Sequence, residues 1–196
     1  MAELRIGCLV MAAGSGSRFG RNKLEAVIDG KTLLRRALEA VPQEEFACVT
    51  VVTQYDGAAA LAEEFGFTVV RNDRPGDGLS RTVRLGTEAM AGCDAIMYQV
   101  ADQPLLERDT VRREVELFRA YPDRIVGLGH NGVRGNPCIF PRRFFPELMT
   151  LTGDVGGNAV IRAHPESLLL CETAAAELRD VDTVEALAAI RTEKMM

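Results

Sequence analysis

Met11-Ala-Ala-Gly-Ser-Gly-Ser-Arg-Phe-Gly-Arg-Asn-Lys23 directly follows the apolar run Ile6-Gly-Cys-Leu-Val10. That run reads as a buried strand. Three glycines and two serines then let the backbone turn tightly and present its N–H groups. Arg18 and Lys23 add positive charge beside the turn. A strand feeding a basic, glycine-rich loop suits a polyphosphate, and two cations so close to the turn suit a triphosphate, where charge builds on a leaving pyrophosphate. The Gly-Lys-Ser/Thr ending of a Walker loop is absent, and Gly14-x-Gly16 is followed by Gly20 rather than by a glycine three positions on. The dinucleotide fingerprint therefore fails. A Gly/Ser turn with solvated charges is the alternative reading.

Outward from this loop the pattern alternates strand and helix. Residues 5–11 and 48–53 read as parallel-sheet strands. Between them Thr32-Leu-Leu-Arg-Arg-Ala-Leu-Glu-Ala-Val41 carries apolar residues at helical spacing, and Pro42 stops it. Helices are expected over 56–64, 80–90, 107–120, 142–149, 156–163 and 183–192, and strands over 67–70, 94–100, 124–128 and 167–171. The stretch 129–140 differs: its glycines, Asn-Gly turn signal and short apolar runs suggest strands entering at another angle. Repeated crossovers of this length predict a doubly wound α/β sandwich, three layers around a mostly parallel mixed sheet. Ligands of such sheets sit beyond the carboxyl ends of the strands, where the loops 12–22, 74–80 and 101–106 fall.

The chain of 196 residues is expected to form a single domain, 1–196, with a substantial core. Its 47% apolar and 26% charged content is that of an ordinary globular protein. There is no run of 18 apolar residues and no signal-peptide layout at the start, so neither a membrane span nor a leader is expected. The net charge of −5 argues against nonspecific nucleic-acid binding, though a site can still be locally basic. Cys8, Cys48, Cys93, Cys138 and Cys171 form no CxxC pair and read as small buried thiols, which fits a cytoplasmic location.

Asp102 follows an apolar-centred strand, and Pro104 restrains the backbone after it. A carboxylate at such a strand end points into the ligand crevice and suits Mg2+, which takes carboxylate and phosphate oxygens. The competing role is capping the helix that follows. Asp182, three residues before Glu185, is either a capping-box start or a second metal ligand. Gly78-Leu-Ser80 opens a helix with Ser80 as N-cap, whose N–H groups could receive an anion or a base edge. Asp154, in Gly153-Asp-Val-Gly-Gly157, is placed to cap a further helix. No Ser–His–Asp arrangement supports covalent catalysis.

These segments together resemble the MobA/MocA-like nucleotidyltransferases, and within them the molybdenum cofactor cytidylyltransferase branch. Met11 to Lys23 is similar to the signature Leu-Ala-Ala-Gly-x-Ser/Gly-x-Arg-Met-Gly-x-x-Lys. Gly78-Leu-Ser-Arg-Thr-Val-Arg-Leu-Gly86 resembles Gly-x-Ser-x-Ser-Leu-x-x-Gly, and Ala101-Asp-Gln-Pro104 resembles the metal-binding Asp-x-Pro edge. Arg134-Gly-Asn-Pro137, Gly153-Asp-Val-Gly156 and Asp180-Val-Asp-Thr183 follow in the expected order. The resemblance implies a Rossmann-like nucleotidyltransferase fold and a magnesium-dependent nucleotidyl transfer. It implies triphosphate binding by Gly14, Arg18 and Lys23, within a nucleotide site that also takes in Ala12, Ala13, Ser15, Gly16, Gly78, Leu79 and Ser80. It implies metal binding by Asp102 and Asp182. Catalytic roles fall on Arg18, Lys23 and Asp102.

Ala12-Ala13-Gly14 and Gly78-Leu79-Ser80 resemble the cytidine-using type rather than the guanine-using one, which implies CTP and the molybdenum cofactor as substrates. A molybdenum hydroxylase or its maturation factor is then a partner. The chain departs from the family at Gly135-Asn136-Pro137, where Gly-His-Pro is common, and at Gly156-Gly157-Asn158, where Gly-Ala-Arg is common. Asn136, Asp154 and Asn158 are the acceptor-side residues, and the departures leave a different small phosphate ester as an alternative acceptor; a noncatalytic cofactor-binding chaperone is the alternative class, against which Arg18, Lys23 and Asp102 weigh.

Overall fold

The computed structural model describes residues 4–14, 19 and 22–193, with the backbone only at 193. Among them a seven-stranded sheet is built from β1 (Ile6–Ala12), β4 (Cys48–Thr53), β5 (Thr68–Arg71), β6 (Ala95–Val100), β7 (Ile125–His130), β8 (Val133–Pro141) and β9 (Leu168–Glu172). A two-stranded hairpin, β2 (Val27–Ile28) and β3 (Lys31–Thr32), stands apart from it. The sheet order is β5-β4-β1-β6-β8-β7-β9. All its neighbours pair in parallel except β8, which runs antiparallel to β6 and to β7.

β1 shows why the sheet is central. Ile6, Cys8, Val10 and Ala12 face one buried cluster and Leu9 and Ala13 the other, so both faces of the strand are apolar. The first cluster receives α1 (Leu33–Glu39), α2 (Asp56–Glu64) and α4 (Arg108–Ala120) through Leu34, Ala58 and Val111. The second receives α3 (Leu79–Ala89), α5 (Phe145–Thr150) and α6 (Asn158–Ala163) through Val83, Leu148 and Ile161. Three layers result, as the alternating pattern predicts. A third cluster joins α7 (Val184–Glu193) to the small hairpin through Ile28, Val181 and Ile190.

The stretch 129–140 holds the end of β7, a two-residue turn and most of the return strand β8. Asn131 and Gly132 both have positive φ, 49° and 79°, and His130 pairs with Val133. These are the requirements of the tight hairpin that an Asn-Gly pair favours. α1 ends at Glu39 with Ala40 as C-cap, before Pro42. Cys8, Cys93, Cys138 and Cys171 are buried thiols and Cys48 is partly exposed, with the Cys48 and Cys93 sulfurs 3.7 Å apart. No helix among the described residues is long and apolar enough to cross a membrane.

The topology sets the site. From β1 the chain passes through α1 to β4 on one side and on to β5, then returns through α3 to β6 on the other side of β1. The reversal opens a crevice beyond the carboxyl ends of β1 and β6.

Candidate active site

Three successive carbonyls at the end of β1 are moored by three successive side chains at the end of β4. The Thr53 hydroxyl donates to Ala12 O at 3.0 Å, Gln54 Nε2 to Ala13 O at 2.8 Å, and the Tyr55 hydroxyl to Gly14 O at 2.9 Å. Ala13 and Gly14 then form one wall of a cavity of about 620 Å³. A Cβ added at Gly14 would meet nothing within 4 Å, so this wall leaves room for a ligand. Ser15, Gly16 and Arg18 lie outside the described residues.

The charged floor is made by three distant segments. Lys23 begins a short 3-10 turn, Lys23–Glu25, whose Leu24 N–H donates to the Asn22 side chain at 3.1 Å and whose Leu24 side chain is buried. Asp102 lies just past β6, and its backbone carbonyl accepts from Val181 N–H at 2.9 Å, drawing residues 180–182 against it. Lys23 Nζ donates to Asp102 Oδ2 at 2.6 Å and to Asp182 Oδ1 at 2.8 Å. Burial alone would lower the Lys23 pKa, but the two carboxylates more than offset it and push the ammonium above its ordinary value. Asp180 is raised to about 6 by burial and then by the neighbouring charge of Asp102.

Asp182 is not the cap of α7. The Thr183 hydroxyl accepts from Ala186 N–H at 3.1 Å, the N-cap geometry, which leaves the Asp182 carboxylate directed to Lys23.

The opposite wall is the start of α3, and it differs from the expected arrangement. Gly78, not Ser80, is the N-cap residue, with φ of 84°. Leu79 N–H donates to Asp154 Oδ1 at 3.4 Å and Ser80 N–H to Gly153 O at 3.1 Å. These N–H groups are therefore satisfied within the protein and not held ready for an anion. Asp154 thus caps α3, while Gly157 occupies the N-cap position of α6. Ser80 is buried in the first turn, and its hydroxyl has no hydrogen-bond partner among the described residues.

Asp102, Asp182, Asp154, Lys23, Gly78 and Leu79 line the same cavity as Ala13 and Gly14. Asn136 and Asn158 do not line it. Asn158 Oδ1 accepts from Arg134 Nη2 at 3.0 Å, and Arg134 Nη1 donates to Gly135 O at 3.0 Å, so Asn158 of α6 is tied to Arg134 of β8. Thr82 also lines the cavity and was not singled out by sequence. It lies three residues after Leu79 on the helix, and that spacing places both on one face. The mooring residues Thr53, Gln54 and Tyr55 carry no local signal, because their partners are some forty positions earlier in the chain.

The donor set suits a hard divalent ion. Asp102 Oδ1 is buried with no hydrogen-bond partner among the described residues, and the second carboxylate converges on the same cation. Among the described residues no group of three His, Cys, Asp or Glu is arranged to hold a metal. Phosphate and water oxygens would have to complete the shell, as magnesium sites commonly require.

Known proteins resemble the chain across this architecture. It is 24% identical to the purine catabolism protein PucB of Bacillus subtilis over 188 residues, covering 89% of this chain and 90% of that one. It is 31% identical to a molybdenum cofactor guanylyltransferase of Rhodobacter capsulatus over 116 residues, covering 56% of this chain and 57% of that one. The crystal structure of Rv0371c from Mycobacterium tuberculosis superposes with a TM-score of 0.79 at 23% identity, covering 97% of this chain and 100% of that one. A manganese complex of Rv0371c superposes with a TM-score of 0.74 at 22% identity, covering 96% and 98%. The family model for the MobA-like NTP transferase domain matches residues 8–168, from within β1 to the start of β9. The chain belongs to that family and is a nucleotidyltransferase.

Proposed function

We propose that the whole chain, as a single unit, transfers CMP from CTP to the molybdopterin-type molybdenum cofactor, forming the cytosine dinucleotide and releasing pyrophosphate. The observation that carries this reading is the meeting of Lys23, Asp102 and Asp182 on the floor of a cavity walled by Ala13-Gly14 and Gly78-Leu79. The cavity then holds the nucleotide, with its phosphates at the charged end. The similarity to a molybdenum cofactor guanylyltransferase supports the acceptor class. The product would pass to a molybdenum hydroxylase or its maturation factor.

Asp102 and Asp182 would hold Mg2+, which when bound neutralises charge on the phosphate oxygens. The acceptor's terminal phosphate is already ionised near neutral pH, so the chain need not supply a general base. Its oxygen attacks the α-phosphorus in line, and the bond to the pyrophosphate oxygen breaks. Lys23 stabilises charge developing on that leaving group. The moored carbonyls of residues 12–14 fix the wall against which the base lies, so that alignment precedes chemistry. The methyl of Ala13 narrows the space beside the base and favours a pyrimidine over guanine. The guanylyl relative motivates a second reading, the same transfer with GTP.

Pyrophosphate release, assayed with each of the four nucleotides with and without loaded acceptor, separates these readings. CTP with loaded acceptor should be the productive pair. Equal or better kcat/KM with GTP would move the assignment to guanylyl transfer. Asp102→Ala should lower turnover roughly 100-fold or more with the circular dichroism unchanged. A folded variant within about threefold of wild type, well short of what losing such a contact costs, would remove Asp102 from the chemistry.

A further inference from the structure

We propose that Lys23 is an internal counter-cation that occupies the carboxylate pair until nucleotide arrives, so that divalent metal and nucleotide bind as a linked pair. The inference rests on the reading of Asp102 and Asp182 as the metal-holding carboxylates. The Lys23 ammonium is 2.6 Å from one and 2.8 Å from the other. A divalent ion on the same oxygens would be crowded against that ammonium. Two cations so close repel strongly in a partly buried setting, where solvent screens poorly. Metal and ammonium therefore exclude each other at this pair.

The side chain, not the backbone, is what can yield. Lys23 stands on a turn fixed by the Asn22 cap and by buried Leu24. Its four-carbon stem can carry the ammonium elsewhere from that anchor. Lys23 lines the same cavity as Gly14, so the region proposed for the triphosphate is within its surroundings. A nucleotide supplies two things together: phosphate oxygens as a new anionic partner for the ammonium, and the oxygen ligands that two carboxylates alone do not provide. Asp102 Oδ1 adds an independent observation. It is buried with no hydrogen-bond partner among the described residues while Oδ2 holds the lysine. The ammonium thus satisfies only half of this carboxylate and is an incomplete substitute for a metal ion.

The linkage has a required sign. Metal should bind weakly without nucleotide and more tightly with it, and nucleotide affinity should rise by the same factor with metal. Free Mn2+, followed by electron paramagnetic resonance, reports binding without turnover. Titrations would use wild type, Lys23→Met, Lys23→Gln, Lys23→Arg and Asp102→Asn, each with and without a nonhydrolysable α,β-methylene CTP. Removing a competing charge-assisted contact should tighten nucleotide-free Mn2+ binding by about tenfold or more in Lys23→Met and Lys23→Gln. Lys23→Arg should remain close to wild type, because it keeps the charge. The two neutral variants cover each other should one fail to fold. Nucleotide-free Mn2+ affinity equal to or weaker than wild type in the neutral variants would overturn the proposal. Asp102→Asn separates the underlying reading: Mn2+ binding that survives this change in the presence of the analogue would reject Asp102 as a metal ligand, whatever Lys23 does.

Discussion

At the scale of single residues, Gly78 shows how one position can meet two demands. Its φ of 84° is in the region that side chains rarely adopt. An added Cβ would also overlap the Gly153 carbonyl and lie 2.7 Å from the Asp154 nitrogen. Both obstacles are backbone, which cannot rotate away. Gly78→Ala should therefore destabilise the chain by at least about 1–3 kcal/mol from backbone strain alone. Urea denaturation would measure the loss, and nucleotide affinity should fall with it because Gly78 lines the cavity. Unchanged stability would mean that the 153–154 segment yields easily. That Gly78-Leu79-Ser80 opens a helix was legible in the sequence, but the roles within it were not. Ser80 is the better N-cap by residue type, yet the turn needs a positive φ at Gly78, and the capping oxygen comes from Asp154, 75 positions away from Leu79.

Among elements, α3 carries the site because it lies closely on β1. A Cβ at Gly86 would fall 2.8 Å from Leu9 Cγ, with both Leu9 methyls closer still, and Leu9 is fully buried. Gly86→Ala brings two opposed effects. Alanine favours the helix by about 1 kcal/mol, whereas overpacking a filled core costs about 1–3 kcal/mol. Leu9 is enclosed in the second buried cluster, so overpacking should dominate. The melting temperature should drop, by thermal denaturation, and a rise would show that Leu9 has an alternative rotamer. Long periodic segments were the most readable: α2 and α4 fall within a residue of the spans expected from their apolar spacing. The β2–β3 hairpin was not foreseen, although Asp29-Gly30 is a favoured turn pair and both residues have positive φ, 49° and 77°. Its two-residue strands are too short to show a period.

For the molecule as a whole, Glu114 of α4 ties stability to pH. It is fully buried, and neither carboxylate oxygen has a hydrogen-bond partner among the described residues. Burial raises its pKa well above the ordinary carboxylate value. The native chain thus holds this proton more tightly than the unfolded chain does. Its contribution is fully present below the unfolded pKa, and declines as pH rises from there to the folded pKa, by up to about 1.4 kcal/mol per pH unit. Glu114→Leu removes the titrating group. Its unfolding free energy, measured in urea from about pH 5 to about pH 8, should gain on wild type as pH rises. A constant difference between the two chains would show that Glu114 titrates normally. A buried, unpaired acid cannot be inferred from a helix whose other faces are charged. The sheet order has the same character: the alternating pattern implies a doubly wound sandwich, but the insertion of β8 between β6 and β7 follows from its pairing with the distant β6.

If the Ala13 methyl selects the base as proposed, the mooring of residues 12–14 bears on how nucleotide choice can change within such a fold. The backbone that carries the Ala13 methyl is held by Thr53 at the end of β4 and by Gln54 and Tyr55 just beyond it. A graft of the first loop alone would carry the methyl into a host without these anchors to hold the carbonyls at the same pitch. The transferable unit is discontinuous, a loop together with the three anchors that aim it. Exchanging substrate preference between relatives thus calls for moving both segments at once.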